Sequence, residues 1–310
     1  MSSAIEAHGL TKRYGRTVAV DDLSFGVDAG RVTGFVGPNG AGKSTTMRLI
    51  LGLDAADAGE VRVGGKRYRD LAAPLREVGA LLDAGATHPG RRARNHLAWL
   101  ARSNRLPAGR VDEVLELVGL SEAGRKRTGG FSLGMAQRLG IAAAMLGDPP
   151  VLMFDEPVNG LDPDGIRWIR VFLRSLAAEG RAVLVSSHLM SELEDIADDL
   201  VVIGRGSLLA QTSVSGLLAS RSDGRVHLRT PQATEVMTVL VAAGGTVTST
   251  GSDALVVTGI DPERIAELVS EHVLLVHELY RERASLEDAF IDLTRDAVEY
   301  VAERPGRQGS

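Results

Sequence analysis

Gly37 to Thr45 reads GPNGAGKST. Before it stands the short apolar run RVTGFVG, Arg31 to Gly37, which reads as a buried strand. After it comes KSTTMRLILGL, whose apolar residues recur at helical spacing. Strand, glycine-rich loop and helix form the setting in which G-x-x-x-x-G-K-[ST] cradles phosphate. The glycines let backbone N–H groups curl around phosphate oxygens, and the helix N-terminus adds a dipole that favours an anion. Gly37, Pro38, Asn39, Gly40, Ala41, Gly42, Lys43, Ser44 and Thr45 are therefore candidate nucleotide-binding residues. Lys43 would reach the β- and γ-phosphates of a nucleotide, and Ser44 would ligate Mg²⁺. The plain alternative, a glycine-rich turn, does not account for the spacing together with the strand–helix context.

Outward from this loop, VLMFDEP (Val151 to Pro157) reads as a second buried strand, ending in two acids. Asp155 is placed to hold Mg²⁺ through water, and Glu156 to orient and polarise a water attacking the γ-phosphorus. RAVLVSSH, Arg181 to His188, is a third strand, and GIRWIRVFLRSLAAEG is one of the helices between them. Strands alternating with helices predict an α/β core with a mostly parallel sheet, whose ligands sit at the carboxyl ends of the strands. From about residue 85 to 147 the pattern is helical without clear strands, which predicts a helical subdomain inserted in that core.

A break at SRSDGR, Ser220 to Arg225, suggests a linker between a domain over 1–220 and a smaller one over 223–310. In the tail, RVHLRT and VLLVHELYRE read as strands, and TVTSTGSDALVVTG as a hairpin around Gly251–Ser252. ATEVMTVLVAAGG reads as a helix, DPERIAELVSEH as a helix capped by Asp261, and SLEDAFIDLT as a capped final helix. The order β-α-β-β-α-β predicts a small C-terminal α+β, ferredoxin-like domain.

Composition narrows the function. The chain of 310 residues has no cysteine, which excludes disulfides and thiolate metal sites. Its net charge of −5 gives no general reason to expect nucleic acid. The basic runs GRRAR (Gly90 to Arg94) and GRKR (Gly124 to Arg127) lack interleaved aromatics and read as a solvated face. Trp99 and Trp168 read as packing residues. The N-terminus MSSAIEAHGL lacks the pattern of a secretory signal, and no apolar run reaches the roughly 18 residues needed to span a bilayer.

With these motifs in order, the chain resembles the ATP-binding-cassette (ABC) ATPases over about residues 4 to 215. FSLGM, Phe131 to Met135, stands where that family carries its signature, commonly Leu-Ser-Gly-Gly-Gln. Ser132 and Gly134 match; Phe131, Leu133 and Met135 depart. Read without the resemblance, the same residues are an ordinary helix N-cap. The resemblance implies that Ser132 and Gly134 cap the γ-phosphate held by the opposite copy of a homodimer. It also implies that Tyr14 in TKRYG stacks on adenine and that Asp162 in NGLDP meets the dimer partner, where a helix N-cap is the plain alternative. His188 resembles the switch histidine that hydrogen-bonds the γ-phosphate. The family usually carries a Gln at a strand end between the phosphate loop and the signature. Here EVGALLDAG occupies that place with Asp83, a carboxylate that can ligate Mg²⁺ but adds negative charge near a triphosphate.

The tail ending SLEDAFIDLT resembles the bacterial daunorubicin- and bacitracin-resistance exporter ATPases. The implied activity is ATP hydrolysis driving export through a separate membrane permease, from the cytoplasmic side of the membrane. Two alternatives are a soluble, non-transport ABC ATPase acting on ribosomes or DNA, and an importer ATPase whose tail binds a regulator.

Overall fold

The computed structural model describes residues 3–221, 224–282 and 285–294. Two residues of the expected linker, 222 and 223, and the C-terminal ERPGRQGS lie outside the described residues. By internal contact the chain divides into two compact units, residues up to Val214 with the segment from Phe290, and Ser215–Ala289.

The first unit opens with two long antiparallel strands, β1 (Ile5–Tyr14) and β2 (Thr17–Val27). Next come β3 (Val32–Val36), α1 (Lys43–Ile50) and β4 (Ala58–Val63). β4 joins the hairpin in a three-stranded sheet of order β2-β1-β4. The sequence reading missed this sheet, because its alternation of apolar and polar residues is interrupted by bulges at Leu10 and Lys12. Then follow α2 (Pro74–Glu77), β5 (Val78–Leu81), α3 (Ala93–Ser103), α4 (Arg110–Leu117) and α5 (Leu133–Ala144). The remaining elements of this unit are β6 (Val151–Asp155), α6 (Pro163–Ala178), β7 (Ala182–Ser187), α7 (Met190–Glu194), β8 (Asp199–Gly204) and β9 (Ser207–Ser213); α8 (Val214–Arg221) starts at the unit's last residue before the break and otherwise belongs to the second unit.

The main sheet has the order β5-β6-β7-β3-β8-β9. All its pairs are parallel except β8–β9. β3, β6 and β7 are buried along nearly their whole length, which is why they read as continuous apolar runs rather than alternations. One core binds both sheets and α1. Phe25 of β2 stacks on Phe35 of β3 at 5.3 Å, and Met47 and Ile50 of α1 lie in the same cluster as Leu10, Leu23, Met153 and Leu184. The glycine-rich loop Gly37–Gly42 is thus pinned at both ends: the strand before it and the helix after it are each locked into that core.

The second unit contains β10 (Val226–Arg229), α9 (Ala233–Ala242), β11 (Thr246–Ser249), β12 (Ala254–Thr258), α10 (Pro262–Glu271) and β13 (Glu278–Arg281). Its antiparallel sheet has the order β11-β12-β10-β13, the arrangement of a ferredoxin-like sandwich. Val226, Leu228, Leu255 and Val257 pack against Val236, Leu240, Ile265 and Leu268 of the helices. Two details differ from the sequence reading. The strand expected from Val273 is limited to β13, because Val273 takes a left-handed turn at φ 54. Asp261 stands at the N-cap of α10 but makes no capping bond; its carboxylate accepts from Arg281 at 2.5 Å instead. A final helix, α11 (Leu286–Thr294), divided between the two units at Phe290, is capped as expected, with Ser285 Oγ accepting from the Asp288 N–H at 3.0 Å.

Candidate functional site

Where β3, β6 and β7 end, an open cleft of about 500 Å³ is lined by Ala19, the loop Asn39 to Thr45, Glu156, Asn159 and His188. α1 begins here with no side-chain cap: its N-cap is Gly42, at φ 103. A Cβ at Gly42 would fall 2.4 Å from the Ala19 carbonyl oxygen, so only glycine lets the loop run this close to β2. The uncapped N-terminus leaves its positive end for an anion. Lys43, only 8% exposed, folds back so that Nζ donates to the carbonyls of Gly37 at 2.6 Å and Pro38 at 3.3 Å. Burial pushes the Lys43 ammonium below its usual pKa, against the opposing pull of the Glu156 and Asp155 carboxylates. A phosphate in the cleft would add negative charge beside this buried cation.

The acidic wall is built from the ends of β6 and β7. Ser44 Oγ donates to Asp155 Oδ2 at 2.7 Å, and the Ser186 hydroxyl donates to the other carboxylate oxygen of Asp155. Ser186 also accepts the Glu156 N–H at 3.0 Å, so one fully buried hydroxyl orients both acids. Glu156 has φ 49, a left-handed backbone that costs a non-glycine residue about 1–3 kcal/mol and persists only where its surroundings over-determine it. This turn aims its side chain into the cleft. There Oε2 meets His188 Nδ1 at 2.8 Å and Asn159 Nδ2 at 3.4 Å. An ionised carboxylate only accepts, so Nδ1 of His188 carries the proton in this contact.

Ser44 and Asp155 are hard oxygen donors placed side by side. That suits Mg²⁺, which takes one or two protein oxygens and completes its shell with water and phosphate oxygens. Among the described residues no group of three or more His, Cys, Asp or Glu could hold a metal unaided. The donor set therefore fits an ion carried in with a phosphate ligand.

The other sequence-predicted residues lie outside this cleft. Tyr14, at the end of β1 and 48% exposed, donates its hydroxyl to Asp54 at 2.7 Å, and Arg48 Nε holds the same carboxylate at 2.8 Å. Hydrogen bonds from Arg48 and then Tyr14 lower the Asp54 pKa to about 2, and the bond to Asp54 raises that of Tyr14. Ser132 is exposed and caps α5, its Oγ accepting the Met135 N–H at 3.2 Å; Gly134 lies in the first turn of that helix. Asp162 caps α6 by accepting the Gly165 N–H at 2.8 Å. Asp83 is exposed, and its Oδ1 accepts the Gly85 N–H at 2.7 Å, closing a local turn.

Sequence reasoning missed Ser186, Asn159 and Gln137. Gln137 Nε2 donates to the main-chain oxygen of Glu156 at 3.2 Å. Its signal was an amide on the buried stripe of α5, shared with Ile141 and Ala144. The two basic runs, distant in sequence, meet in an antiparallel bridge between Arg92 and Arg127. Trp168 is a packing residue: it stacks on Phe172 at 5.2 Å, with the Arg138 guanidinium 4.3 Å above its ring.

Comparison with known proteins points the same way. A family profile described as ABC transporter matches residues 20–159, and an AAA-domain profile matches 127–194. A profile for a domain of unknown function matches 224–287. Over 305 residues the chain is 35% identical to the uncharacterized ABC transporter ATP-binding protein YhcH of Bacillus subtilis, covering 97% of this chain and 99% of that one. It is 41% identical over 214 residues to the bacitracin transport ATP-binding protein BcrA of Bacillus licheniformis, covering 68% and 70%. An ATP-binding cassette solved as a dimer in a post-hydrolysis state, bound to ADP and Pi, shares the fold. Its TM-score is 0.62 at 22% identity, over 68% of this chain and 98% of that one.

Proposed function

The chain belongs to the family of ABC transporter ATP-binding proteins, ATPases that couple hydrolysis to transport, and from that premise we propose how its own residues act and what they serve. The observation that carries the proposal is the meeting of Glu156, His188 and the Lys43 loop in one cleft, with the Glu156–His188 contact at 2.8 Å. The loop Gly37 to Thr45 binds the phosphates of ATP, and Lys43 neutralises their charge. Ser44 and Asp155 hold Mg²⁺, which supplies further charge neutralisation of the phosphates. Glu156 orients the attacking water. His188 offers its second nitrogen to the γ-phosphate; with Nδ1–H committed to Glu156, donation from Nε2 requires the imidazolium or release of that contact. Little covalent chemistry is asked of the protein beyond positioning and electrostatic stabilisation.

Ser132 and Gly134 do not line their own chain's cleft. An exposed serine with a half-buried glycine at a helix N-terminus suits a γ-phosphate held by a second copy, so the working unit is a homodimer with two composite sites. Asp162 lies at the partner-facing loop, and Tyr14 is the platform for adenine. Among the described residues no helix is long and apolar enough to cross a membrane. The subunit therefore works with a separate integral membrane permease, at the inner face of the cell membrane. Likeness to bacitracin transport proteins supports export of an antibiotic or another amphipathic compound.

The test uses Glu156→Gln. The variant should bind ATP with parental affinity and hydrolyse it at least about a hundredfold more slowly. Tagged, expressed in the source organism and trapped with Mg-ATP, it should co-purify with a polytopic membrane protein. Ribosomal or DNA-associated partners without any membrane protein would overturn the transport reading, and parental hydrolysis would overturn the role of Glu156.

A further inference from the structure

Gln137 is 4% exposed, on the face of α5 that also buries Ile141 and Ala144. A buried amide on an apolar stripe is costly unless it is hydrogen-bonded, and here the bond goes to the main-chain oxygen of Glu156 at 3.2 Å. Glu156 is thereby held on both sides of its Cα. Ser186, from β7, takes its N–H at 3.0 Å, and Gln137, from the helical subdomain, takes its carbonyl. Between the two bonds lies the left-handed backbone at φ 49. A conformation that an L-residue avoids is maintained only by such outside constraint. The same oxygen also accepts the Asn159 N–H at 3.2 Å within the turn that follows. With the Gln137 bond gone only that local bond remains, and the peptide can relax towards negative φ, which swings the Cα–Cβ bond away from the cleft.

α5 also rests on the loop that follows Glu156. Leu133 lies over Gly160, where an added Cβ would come within 2.0 Å of Leu133 Cδ2. A Cβ at Gly134 would meet Leu161 Cδ2 at 3.4 Å. The helix therefore grips the segment 156–161 at two places, its first turn and Gln137. The first turn is the one that carries Ser132 and Gly134.

We infer that Gln137 is a positioning residue for hydrolysis: its bond to the Glu156 carbonyl sets the aim of the Glu156 carboxylate and ties that aim to the position of α5. The inference rests on the reading of Glu156 as the water-orienting group. In a dimer whose Ser132 engages the nucleotide of the other copy, movement of α5 at one site would be felt by the carboxylate at the other. An α-helix transmits displacement along its axis, and Gln137 lies little more than one turn beyond the Ser132 end.

The experiment uses the full chain and the substitution Gln137→Met, which keeps length and apolar packing but removes the donor. Expected is a fall in kcat of at least about tenfold, because misalignment of a reacting group by a fraction of an ångström is costly in rate. KM and the equilibrium affinity for ATP should stay within about twofold, since Gln137 does not line the cleft. The decisive readout is the double substitution. In the Glu156→Gln background, single-turnover hydrolysis should be unaffected by Gln137→Met, because Gln137 acts only through the carboxylate that has been removed. Should methionine disturb folding, Gln137→Glu takes its place. Ionised, the carboxylate cannot donate and kcat falls; as pH is lowered and it protonates, its rate relative to the parent should recover.

Parental kcat in Gln137→Met, or an equal fall in both backgrounds, would overturn the inference. So would loss of ATP affinity in step with kcat, which is the mark of a general structural role. A parent chain that binds ATP without hydrolysing it would instead remove the reading of Glu156, and this inference with it.

Discussion

Gly160→Ala probes how the signature turn is seated on the loop after Glu156. Gly160 has φ +74, and a Cβ placed there would lie 2.0 Å from Leu133 Cδ2, 2.4 Å from its Cγ and 3.1 Å from its Cβ. Two costs follow. The left-handed backbone costs an alanine about 1–2 kcal/mol. The clash costs about 1–2 kcal/mol more: the Leu133 side chain is 58% exposed and can swing aside, but contact with its Cγ and Cβ also forces the first turn of α5 to shift. Together about 2–4 kcal/mol is lost, which lowers the apparent Tm of the cassette by roughly 5–10 °C. Thermal unfolding would be followed by near-UV circular dichroism for the parent, Gly160→Ala, Leu133→Gly and the double variant. Leu133→Gly should return the steric share in the alanine background and leave only the backbone share. ATPase activity should follow the same order, because the displaced turn carries Ser132. A Gly160→Ala chain melting within about 1 °C of the parent, or a double variant no better than the single one, would refute this account of the contact.

Two further outcomes are expected. Ser186→Ala leaves the part-buried Glu156 N–H unpaired, at a cost of about 1–3 kcal/mol, and frees Asp155. It should lower the apparent Tm by several degrees and raise the Mg²⁺ concentration needed for half-maximal hydrolysis; a parental Mg²⁺ titration would count against the role given to Asp155. Beside Tyr14, the Asp54 pKa is depressed to about 2, so the fold favours its ionised form. Its contribution is complete above the unfolded-chain value near 3.9 and is lost as pH falls through about 2. Asp54→Asn should therefore melt about 1–2 °C below the parent at pH 5, a small effect for so exposed a pair, and the gap should close steadily below pH 4. A gap that persists there would assign the loss to packing.

What was legible in the sequence follows from where the chemistry is written. The phosphate loop, Asp155 with Glu156, and His188 each sit at the end of a continuous apolar run, so one short window contains both the group and the strand that holds it. The glycine-rich loop is proposed to act through backbone N–H groups, and Gly42 shows why glycine is needed there: no Cβ fits beside the Ala19 carbonyl. The tail was readable for the same reason, since each element of its β-α-β-β-α-β order carries its own period. The N-terminal sheet was not, because bulges break the alternation of β1 and its partner β4 is separated from it by the phosphate loop and α1.

The second layer of the site had no such window. Ser186 is one of two adjacent serines, and nothing local distinguishes the one that holds both acids from Ser187, which turns to Glu192 at 2.6 Å. Arg92 and Arg127 read as separate solvated charges until the helical subdomain brings them into one bridge. Glu156 could be named from its neighbours in sequence, but its left-handed backbone and the side chains that maintain it come from β7 and α5. By itself the sequence determined which groups are proposed to bind and react, because those groups are carried by contiguous motifs. Only the tertiary structure decided how the reacting carboxylate is aimed, because that depends on single hydrogen bonds between residues that no periodicity relates and that meet only when the sheet and the helical subdomain have packed.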